Sequence, residues 1–390
     1  MNRSLPPHGF PNSEFETRLS LFQRIMREHR LDGVFVTTPQ NFRYFTGFAS
    51  QFWESPTRPW FAILPLEGAP ITVIPAIGVD VMATTWVKDI RSWPAPVPED
   101  DGVSLLAEAL RSLPRRFGRI GAEIGREMSL RMPVSDYLKL PALLPGIELV
   151  DGSPAIWDAR MIKTDAEVER IRTACQIACD SYDAVPEIVT RGMTEREAVQ
   201  AVRVEATKRG IDAIPFMPGV SGPGGVSQIV AGPADRILAT GDILFIDTGM
   251  TYDGYFCDFD RNFAVGTLDA ACAKAHEAVW QATEAGIAAV RPGVTTEDLW
   301  RVMSAALEAA GALGNSAGRL GHGLGLQLTE PPSHREGDRT AIREGMVLTI
   351  EPGMEYAPGK TIVHEENIVV RAGGAELLTR RAPRELPIIR

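Results

Sequence analysis

The sequence predicts an α/β domain followed by a larger α+β domain that contains a duplicated helix–helix–hairpin unit. Over roughly the first 150 residues, short apolar runs alternate with helical patterns, which is typical of an α/β layer. A long helical pattern then begins shortly after Arg160. The second half carries a helix-capping sequence twice, about one hundred residues apart. These three observations define the predicted fold class.

The N-terminal domain begins with an amphipathic helix. Residues 15–31 place Leu19, Phe22, Ile25 and Met26 on one helical face. Short apolar strands follow at 33–37, 60–64, 71–74 and 119–124, with helical patterns at 102–113 and 133–141. We place the boundary after residue 158, so that the predicted domains are 1–158 and 159–390.

The C-terminal domain contains an internal repeat. Gly192-Met-Thr-Glu-Arg-Glu197 resembles Gly293-Val-Thr-Thr-Glu-Asp298, and in both a glycine precedes a Thr-x-x-acid capping box. Predicted helices at 165–189 and 268–290 precede the two sequences, and β-rich segments at 242–265 and 346–370 follow them. The repeat predicts two copies of one helix–helix–hairpin unit.

The composition excludes several classes of partner. Lys and Arg total 40 against 50 Asp and Glu, which gives a net charge of −10. Nucleic acid is not an expected partner, because phosphate binding needs a basic face. Four cysteines are too few for a disulfide scaffold. The N-terminus lacks an apolar signal core and no apolar run could span a bilayer, so we expect a cytoplasmic protein without a membrane partner.

Residues 242–265 predict a β-hairpin around the turn Asp253-Gly254. With a two-residue loop, Gly249 faces Asp258 across the hairpin. Asp247, two residues from Gly249, then lies on the same face as Asp258. Two neighbouring carboxylates repel each other unless a cation binds between them.

The second unit supplies matching acids. Glu351 ends an apolar strand before a turn, and Glu365 lies within another strand. The repeat offset maps Asp247 near Glu351 and Asp258 near Glu365, so that a pseudo-twofold would bring four acids to one centre. His322 lies among glycines, which allow the backbone to approach a metal or substrate closely. Four carboxylates and one imidazole form an oxygen-rich set suited to two divalent cations.

In order and spacing, these five residues resemble the metal ligands of metallopeptidase family M24, which includes methionine aminopeptidase, Xaa-Pro aminopeptidase, prolidase and creatinase. The resemblance covers nearly the whole chain, including Asn41-Phe-Arg-Tyr-Phe-Thr-Gly47 and the linker Arg160-Met-Ile-Lys163. It implies a creatinase/prolidase-like N-terminal domain, a pita-bread catalytic domain and a homodimer. It also implies two divalent metal ions per chain, which would be Mn, Co, Fe or Zn.

The resemblance also implies a role for each ligand. Asp247 would bind one metal, His322 and Glu351 the other, and Asp258 and Glu365 would bridge them. A metal-bound hydroxide would attack an amide carbonyl of a short peptide or other small-molecule substrate. Glu351, as the proton acceptor, and His322 are the predicted catalytic residues. Glu366 is a neighbouring candidate, but Glu365 occupies the ligand position of the motif.

Four positions depart from the prolidases and Xaa-Pro aminopeptidases. Thr329 and Val230 stand where those enzymes carry histidines, and Val363 stands where they carry an arginine. Asp260 replaces a Ser or Thr on the predicted metal face, where it would add charge or pair with Arg261. An alternative function is therefore a creatinase-like amidohydrolase or a dimethylsulfoniopropionate lyase-like enzyme for a small zwitterion. The complete ligand set disfavours a further alternative, a binding protein without catalysis.

Five residues are candidates for substrate binding. Trp53 and Arg58 would form a wall that recognises carboxylates and cations, although packing within the first domain is the favoured alternative. Tyr252 lies beside the hairpin turn, and Thr329 occupies the place of a family histidine. His334 lies on a predicted loop, from which it could replace a missing site histidine.

Overall fold

The computed structural model describes residues 4–55, 58–314 and 318–390. These residues form two compact units, one spanning His8–Arg160 and the other combining residues 4–7 with Met161–Arg390. The first unit is α/β and the second is α+β, which confirms the predicted fold class. Within the described ranges, no helix has both the length and the apolarity needed to cross a membrane.

The N-terminal unit is built around a six-stranded mixed sheet. Its elements are α1 (Asn12–Glu28), β1 (Gly33–Val36), α2 (Pro39–Thr46), β2 (Phe61–Pro65), β3 (Ile71–Pro75), α3 (Val79–Ala83), β4 (Asp89–Trp93), α4 (Val103–Arg111), β5 (Arg119–Ala122), α5 (Val134–Tyr137), α6 (Leu140–Leu143), β6 (Glu148–Asp151) and α7 (Ser153–Arg160). The strand order is β4-β3-β2-β1-β5-β6. Strand β1 pairs antiparallel with β2 and parallel with β5.

Apolar periodicity explains why these elements form. Helix α1 buries Leu19, Phe22, Ile25 and Met26 on one face, as the sequence pattern predicts, although it begins and ends earlier than predicted. The central strands β1, β2 and β3 are buried along their whole length. Burial on both faces is typical of strands covered by helices in an α/β layer.

The C-terminal unit begins with helices and continues with short antiparallel sheets. Its elements are α8 (Asp165–Asp183), α9 (Val185–Ile188), α10 (Glu195–Lys208), β7 (Ala213–Phe216), β8 (Gly219–Pro223), β9 (Asp242–Ile246), β10 (Gly249–Tyr252), β11 (Tyr255–Phe256), β12 (Arg261–Val265), α11 (Ala270–Ala289), α12 (Thr296–Ala309), β13 (His322–Gly323), β14 (Glu330–Ser333), β15 (Val347–Ile350), β16 (Gly353–Ala357), β17 (Lys360–Val363), β18 (Glu366–Arg371), β19 (Gly374–Leu377) and β20 (Ile388–Ile389). The sheet orders are β20-β12-β9-β8, β11-β10-β7, β14-β13-β15-β18-β19 and β16-β17.

The internal repeat is present in this unit. Helices α10 and α12 each begin with a capping box, in which Thr194 pairs with Glu197 and Thr295 pairs with Asp298. In each copy a long helix, α8 or α11, precedes the capped helix. A hairpin follows each copy, from β9 to β12 and from β15 to β18. The predicted duplication is thus confirmed, and each copy brings one hairpin to the candidate site.

Candidate metal centre

The first hairpin carries two of the candidate ligands. Its register beside the turn matches the prediction, with Tyr252 opposite Tyr255. Asp247 and Asp258 line the same cavity, as expected for residues on one face of the hairpin. The Asp258 backbone is held from both sides, because its N–H donates to Asn367 Oδ1 at 2.9 Å and the Asn367 amide donates to its carbonyl.

The second hairpin carries two further acids. Strands β15 and β18 pair antiparallel, and β16 and β17 continue the same register with Gly353 opposite Val363. Glu351 follows β15 directly, and Glu365 precedes β18. The shared register therefore places Glu351 opposite Glu365.

The sequence offset between the two repeats correctly relates Asp247 to Glu351. It does not correctly relate Asp258 to Glu365. Asp247 and Glu351 directly follow the equivalent strands β9 and β15. Across the hairpins, however, Asp260 is opposite Asp247 and Glu365 is opposite Glu351. The counterpart of Glu365 is thus Asp260 and not Asp258. An approximate offset read from two helix starts cannot resolve a shift of two positions.

His322 is held by the backbone around it. Its N–H donates to Thr349 Oγ1 at 3.0 Å, and its Nδ1 lies 2.8 Å from the Gly323 carbonyl. A proton on Nδ1 satisfies that carbonyl and leaves the lone pair on Nε2, the arrangement found in metal-binding histidines. His322 Nε2 lies 3.3 Å from Asp258 Oδ2 and 3.8 Å from Glu351 Oε2.

We expect Gly323→Ala to displace His322. A Cβ at this position would lie 2.2 Å from the Pro331 carbonyl oxygen and 2.9 Å from that of Glu330, and backbone atoms cannot rotate away. The free energy of unfolding should fall by about 2–4 kcal/mol, with less metal bound. Chemical denaturation and metal analysis measure both effects. Gly373→Ala is the control, because no heavy atom lies within 4 Å of its added Cβ. Similar behaviour of the two variants would contradict the prediction.

The predicted ligands converge on one place. Asp258, His322 and Glu365 are buried and offer ligand atoms that all lie within 4.8 Å of one another. A cavity of about 530 Å³ adjoins them, and its lining includes Asp247 and Glu351 as well as Asp258 and His322. This volume is in the range of sites for small ligands.

The site concentrates negative charge away from water. Burial and the neighbouring Asp258 carboxylate raise the pKa of both Asp247 and Glu365 well above the ordinary range. Burial also raises the pKa of Asp258 to about 6, against the opposing hydrogen bond to His322. Burial lowers the pKa of His322, but Glu351 and Asp258 outweigh it and raise that pKa. A bound cation would stabilise this arrangement.

The donor set fits divalent cations. Glu365 Oε1 is buried and has no hydrogen-bond partner among the described residues. An unpaired carboxylate oxygen is costly to bury unless a proton or a cation binds it. Carboxylates combined with one imidazole suit ions such as manganese, cobalt, iron and zinc.

Glu366, the neighbouring candidate, belongs to a different network. Its carboxylate accepts hydrogen bonds from Arg261 at 3.1 Å, from Arg381 at 3.1 Å and from the Thr379 hydroxyl. These donors satisfy a fully buried charge. The hydrogen-bond partners of Glu366 therefore belong to the packing of the fold, and Glu365 is the acid that faces the candidate centre.

The substrate-binding candidates of the C-terminal unit lie in different places. Thr329 lines the cavity, where its hydroxyl accepts a hydrogen bond from Arg319 at 3.3 Å. His334 is fully buried, and its Nε2 lies 3.0 Å from a backbone carbonyl. Tyr252 donates its hydroxyl to a carbonyl of the N-terminal segment. Neither His334 nor Tyr252 is among the described residues that line the cavity.

Trp53 and Arg58 belong to the N-terminal unit. The Trp53 ring packs edge-on against Phe42, with 5.4 Å between ring centroids. The Arg131 guanidinium lies 5.1 Å from the centroid of the Trp53 ring. These contacts agree with the alternative in which Trp53 packs within the N-terminal domain. Arg58 is partly buried in the same unit.

The cavity includes three of the positions that depart from the family pattern. Val230, Thr329 and Val363 all contribute to its lining. Within that described lining, His322 is the only histidine. The described lining of the cavity is therefore poorer in imidazole groups than the family pattern.

Sequence reasoning missed Arg319 and Asn367. Arg319 lines the cavity, and its Nε lies 3.5 Å from Glu351 Oε1. A charged residue in the glycine-rich segment just before His322 is a signal that could have identified it. Asn367 holds the Asp258 backbone through a contact between segments that are distant in the sequence, which leaves no local signal.

The fold and the acidic site together define a metal-dependent hydrolase with a separate N-terminal domain. A family model described as metallopeptidase family M24 matches residues 169–372. A second, described as the creatinase/prolidase N-terminal domain, matches residues 18–162. The chain belongs to metallopeptidase family M24, which confirms the resemblance of its motifs.

Relatives are similar over nearly the whole chain. A probable dipeptidase PepE from Mycobacterium tuberculosis is 27% identical over 385 residues, which cover 97% of this chain and 98% of the relative. The Xaa-Pro dipeptidase of Pyrococcus furiosus is 28% identical over 364 residues, or 93% and 97% of the two chains. The crystal structure of dipeptidase PepE from Mycobacterium ulcerans has a TM-score of 0.84 at 28% identity, covering 98% and 99%. These similarities confirm the predicted pairing of domains.

Proposed function

We propose that this protein is a dinuclear-metal-dependent dipeptidase acting on short peptides with a free carboxyl terminus. Asp247 would hold one ion, His322 and Glu351 the other, and Asp258 and Glu365 would bridge them. When bound, two such ions supply a nucleophile from water at neutral pH and polarise the amide carbonyl. The observation that carries the proposal is the convergence of these side chains beside a cavity of about 530 Å³.

Glu351 is the proposed proton acceptor. Its side chain is 19% exposed, compared with 6% for Asp258 and 2% for His322. Glu351 is therefore the most accessible of these three groups to a water or substrate in the cavity. In this role its carboxylate takes the proton of the attacking water and returns it to the leaving nitrogen. His322 keeps its Nε2 directed at the acids, because the Gly323 carbonyl engages the other ring nitrogen.

Arg319 is proposed to bind the carboxylate of the substrate. Within the described lining it is the only Lys or Arg side chain, and it is 30% exposed. Arginine is suited to a carboxylate, because its planar guanidinium can donate two parallel hydrogen bonds. Val363, where the family pattern has an arginine, offers no charge. Arg319 would therefore supply the positive charge from another side of the cavity.

Arg319→Gln should raise the KM for a dipeptide by roughly 10–100-fold. This factor corresponds to the binding free energy that a hydrogen bond to a charged group contributes. The turnover number should change much less, since the contact is present both in the bound substrate and in the transition state. Steady-state kinetics on a dipeptide and on its C-terminal amide measure this effect. The amide is the matched control, because it lacks the carboxylate and should show similar KM values with both proteins. A lower kcat at unchanged KM would instead indicate that Arg319 positions the Glu351 carboxylate.

The function itself is tested with the purified, metal-loaded protein. Xaa-Pro dipeptides, dipeptides without proline, creatine and dimethylsulfoniopropionate form the substrate panel. We expect hydrolysis of at least one dipeptide class and its loss on chelation. Turnover of a zwitterion without cleavage of any peptide would overturn the proposal.

A second candidate function is a creatinase-like amidohydrolase or a dimethylsulfoniopropionate lyase-like enzyme. It is favoured by Val230 and Thr329, which line the cavity where the family pattern has histidines. A peptide leaving group needs a proton, and neither valine nor threonine supplies one readily near neutral pH. The same substrate panel separates the two candidates.

A further inference from the structure

Asp260 is a buried acid of the first hairpin that the roles above do not use. Its side chain belongs to a residue only 2% exposed. The hairpin register places it directly opposite Asp247. The neighbouring pairs define this register: Ile246 with Arg261, and Thr248 with Phe259.

The hairpin register predicts that Asp247 and Asp260 form a pair of the closely spaced kind. The Phe259 N–H donates to the Thr248 carbonyl at 3.3 Å, so those two residues form a hydrogen-bonded pair. The next pair along an antiparallel ladder is not hydrogen-bonded, and its side chains approach more closely. Like charges directly opposite each other destabilise a sheet. Something other than the two strands must therefore stabilise these carboxylates.

The duplicated fold places Asp260 at the position equivalent to that of Glu365. Glu365 is opposite Glu351 in the second hairpin, just as Asp260 is opposite Asp247 in the first. Glu365 belongs to the candidate cluster, and Asp260 occupies the equivalent position in the other copy. A pseudo-twofold that brings the two hairpins together brings these two positions to the same centre.

The contacts of the side chain agree with this placement. Asp260 Oδ2 accepts a hydrogen bond from Asn262 Nδ2 at 3.0 Å. The same amide donates to the Val363 carbonyl at 2.6 Å, so Asp260 faces the strand that leads to Glu365. Asp260 Oδ1 is buried and has no hydrogen-bond partner among the described residues. An unpartnered, buried carboxylate oxygen is stabilised by a cation.

The adjacent arginine does not take this role. The Arg261 guanidinium donates to the Glu366 carboxylate at 3.1 Å and to the Glu365 carbonyl at 2.9 Å. Toward Asp260 it donates only to the backbone carbonyl, at 2.8 Å. Of the two sequence alternatives for Asp260, the contacts thus favour added charge at the site over pairing with Arg261.

We propose that Asp260 is a further carboxylate ligand of the metal centre, binding the ion held by Asp247. This inference rests on the metal centre of the proposed function and adds a ligand to it. An additional anionic oxygen strengthens the binding of a divalent cation and favours ions that prefer oxygen, such as Mn²⁺.

Binding of Mn²⁺ to the chelated, metal-free protein tests the proposal. Calorimetry and the electron paramagnetic resonance signal of free Mn²⁺ measure stoichiometry and affinity without any assay of activity. We expect Asp260→Asn, and Asp260→Thr as the second variant, to weaken one binding step roughly 10–100-fold. The matched control is Asp242→Asn in the same hairpin, a residue 1% exposed whose carboxylate pairs with Arg236 at 2.7 Å. That variant should keep the wild-type affinity.

Thermal unfolding gives an independent readout. Metal-free Asp260→Asn should unfold at a higher temperature than the metal-free wild type, because a pair of like charges is removed. Its stabilisation by Mn²⁺ should nevertheless be smaller. A purely structural role would lower the unfolding temperature in both states.

Equal Mn²⁺ affinity in the wild type and both variants would overturn the assignment of Asp260 alone. A wild-type protein that bound no divalent cation would overturn the proposed function with it.

Discussion

Glu365→Gln should abolish hydrolysis, whereas Glu366→Gln should leave the metal centre assembled and damage the fold. Glu365 Oε1 is buried without a hydrogen-bond partner among the described residues, and the side chain belongs to the candidate cluster. Removing this charge removes the proposed bridging ligand, so kcat/KM should fall by at least about 1000-fold. Elemental analysis should show less than the wild-type metal content.

Glu366→Gln is the matched control, because it makes the same chemical change one residue away. Its carboxylate pairs with Arg261 and Arg381, which would be left without their counter-charge. Breaking a buried pair in this way should cost about 3–5 kcal/mol of unfolding free energy. Chemical denaturation measures the loss, and metal content should remain at the wild-type level where the variant is folded. The reverse pattern would exchange the roles of the two acids.

Chelation should stop hydrolysis. The free energy of unfolding of the metal-free protein should then fall as the pH rises. In the metal-free protein, burial raises the pKa of Asp258 from 3.8 to about 6. The native state then binds more protons than the unfolded state between these values, so the free energy of unfolding falls as pH rises through them. Asp258 alone contributes a loss of roughly 3 kcal/mol. Asp247 and Glu365, whose pKa values are also raised, extend the loss to higher pH.

Added Mn²⁺ or Zn²⁺ should reverse this trend. Cations compete with protons for the same carboxylates, so metal-dependent stabilisation should grow as the pH rises. Unfolding temperatures at several values between pH 5 and 8, with and without metal, provide the measurement. Parallel pH profiles in the two states would show that these acids are not the site of binding.

The architecture can be predicted from sequence because its determinants are local. The buried face of α1 follows from apolar spacing, and both capping boxes are readable as Thr-x-x-acid sequences. The turn at Asp253-Gly254 likewise predicts the pairing of Tyr252 with Tyr255. The candidate ligands could be nominated from their order along the chain, since each lies within two residues of a strand.

The remaining features depend on contacts between distant segments. Asp260 could be identified as the counterpart of Glu365 only after the registers of both hairpins were known. His334 looks available in the sequence, yet tertiary packing buries it against a backbone carbonyl. Arg319 enters the cavity because β13 and the residues before it fold back toward β15. No local pattern encodes these outcomes.

The division of the candidate ligands among two hairpins and β13 also bears on when the protein acquires its metal during synthesis. The ribosome completes the first hairpin, with Asp247 and Asp258, long before it adds His322 and Glu365. In that interval the early acids lack the imidazole, the second hairpin and the Asn367 side chain that holds Asp258. A nascent chain therefore offers cations only a weak, incomplete site. Metal uptake should follow the formation of β18, so a cell short of metal would accumulate finished but inactive molecules that later supply could rescue.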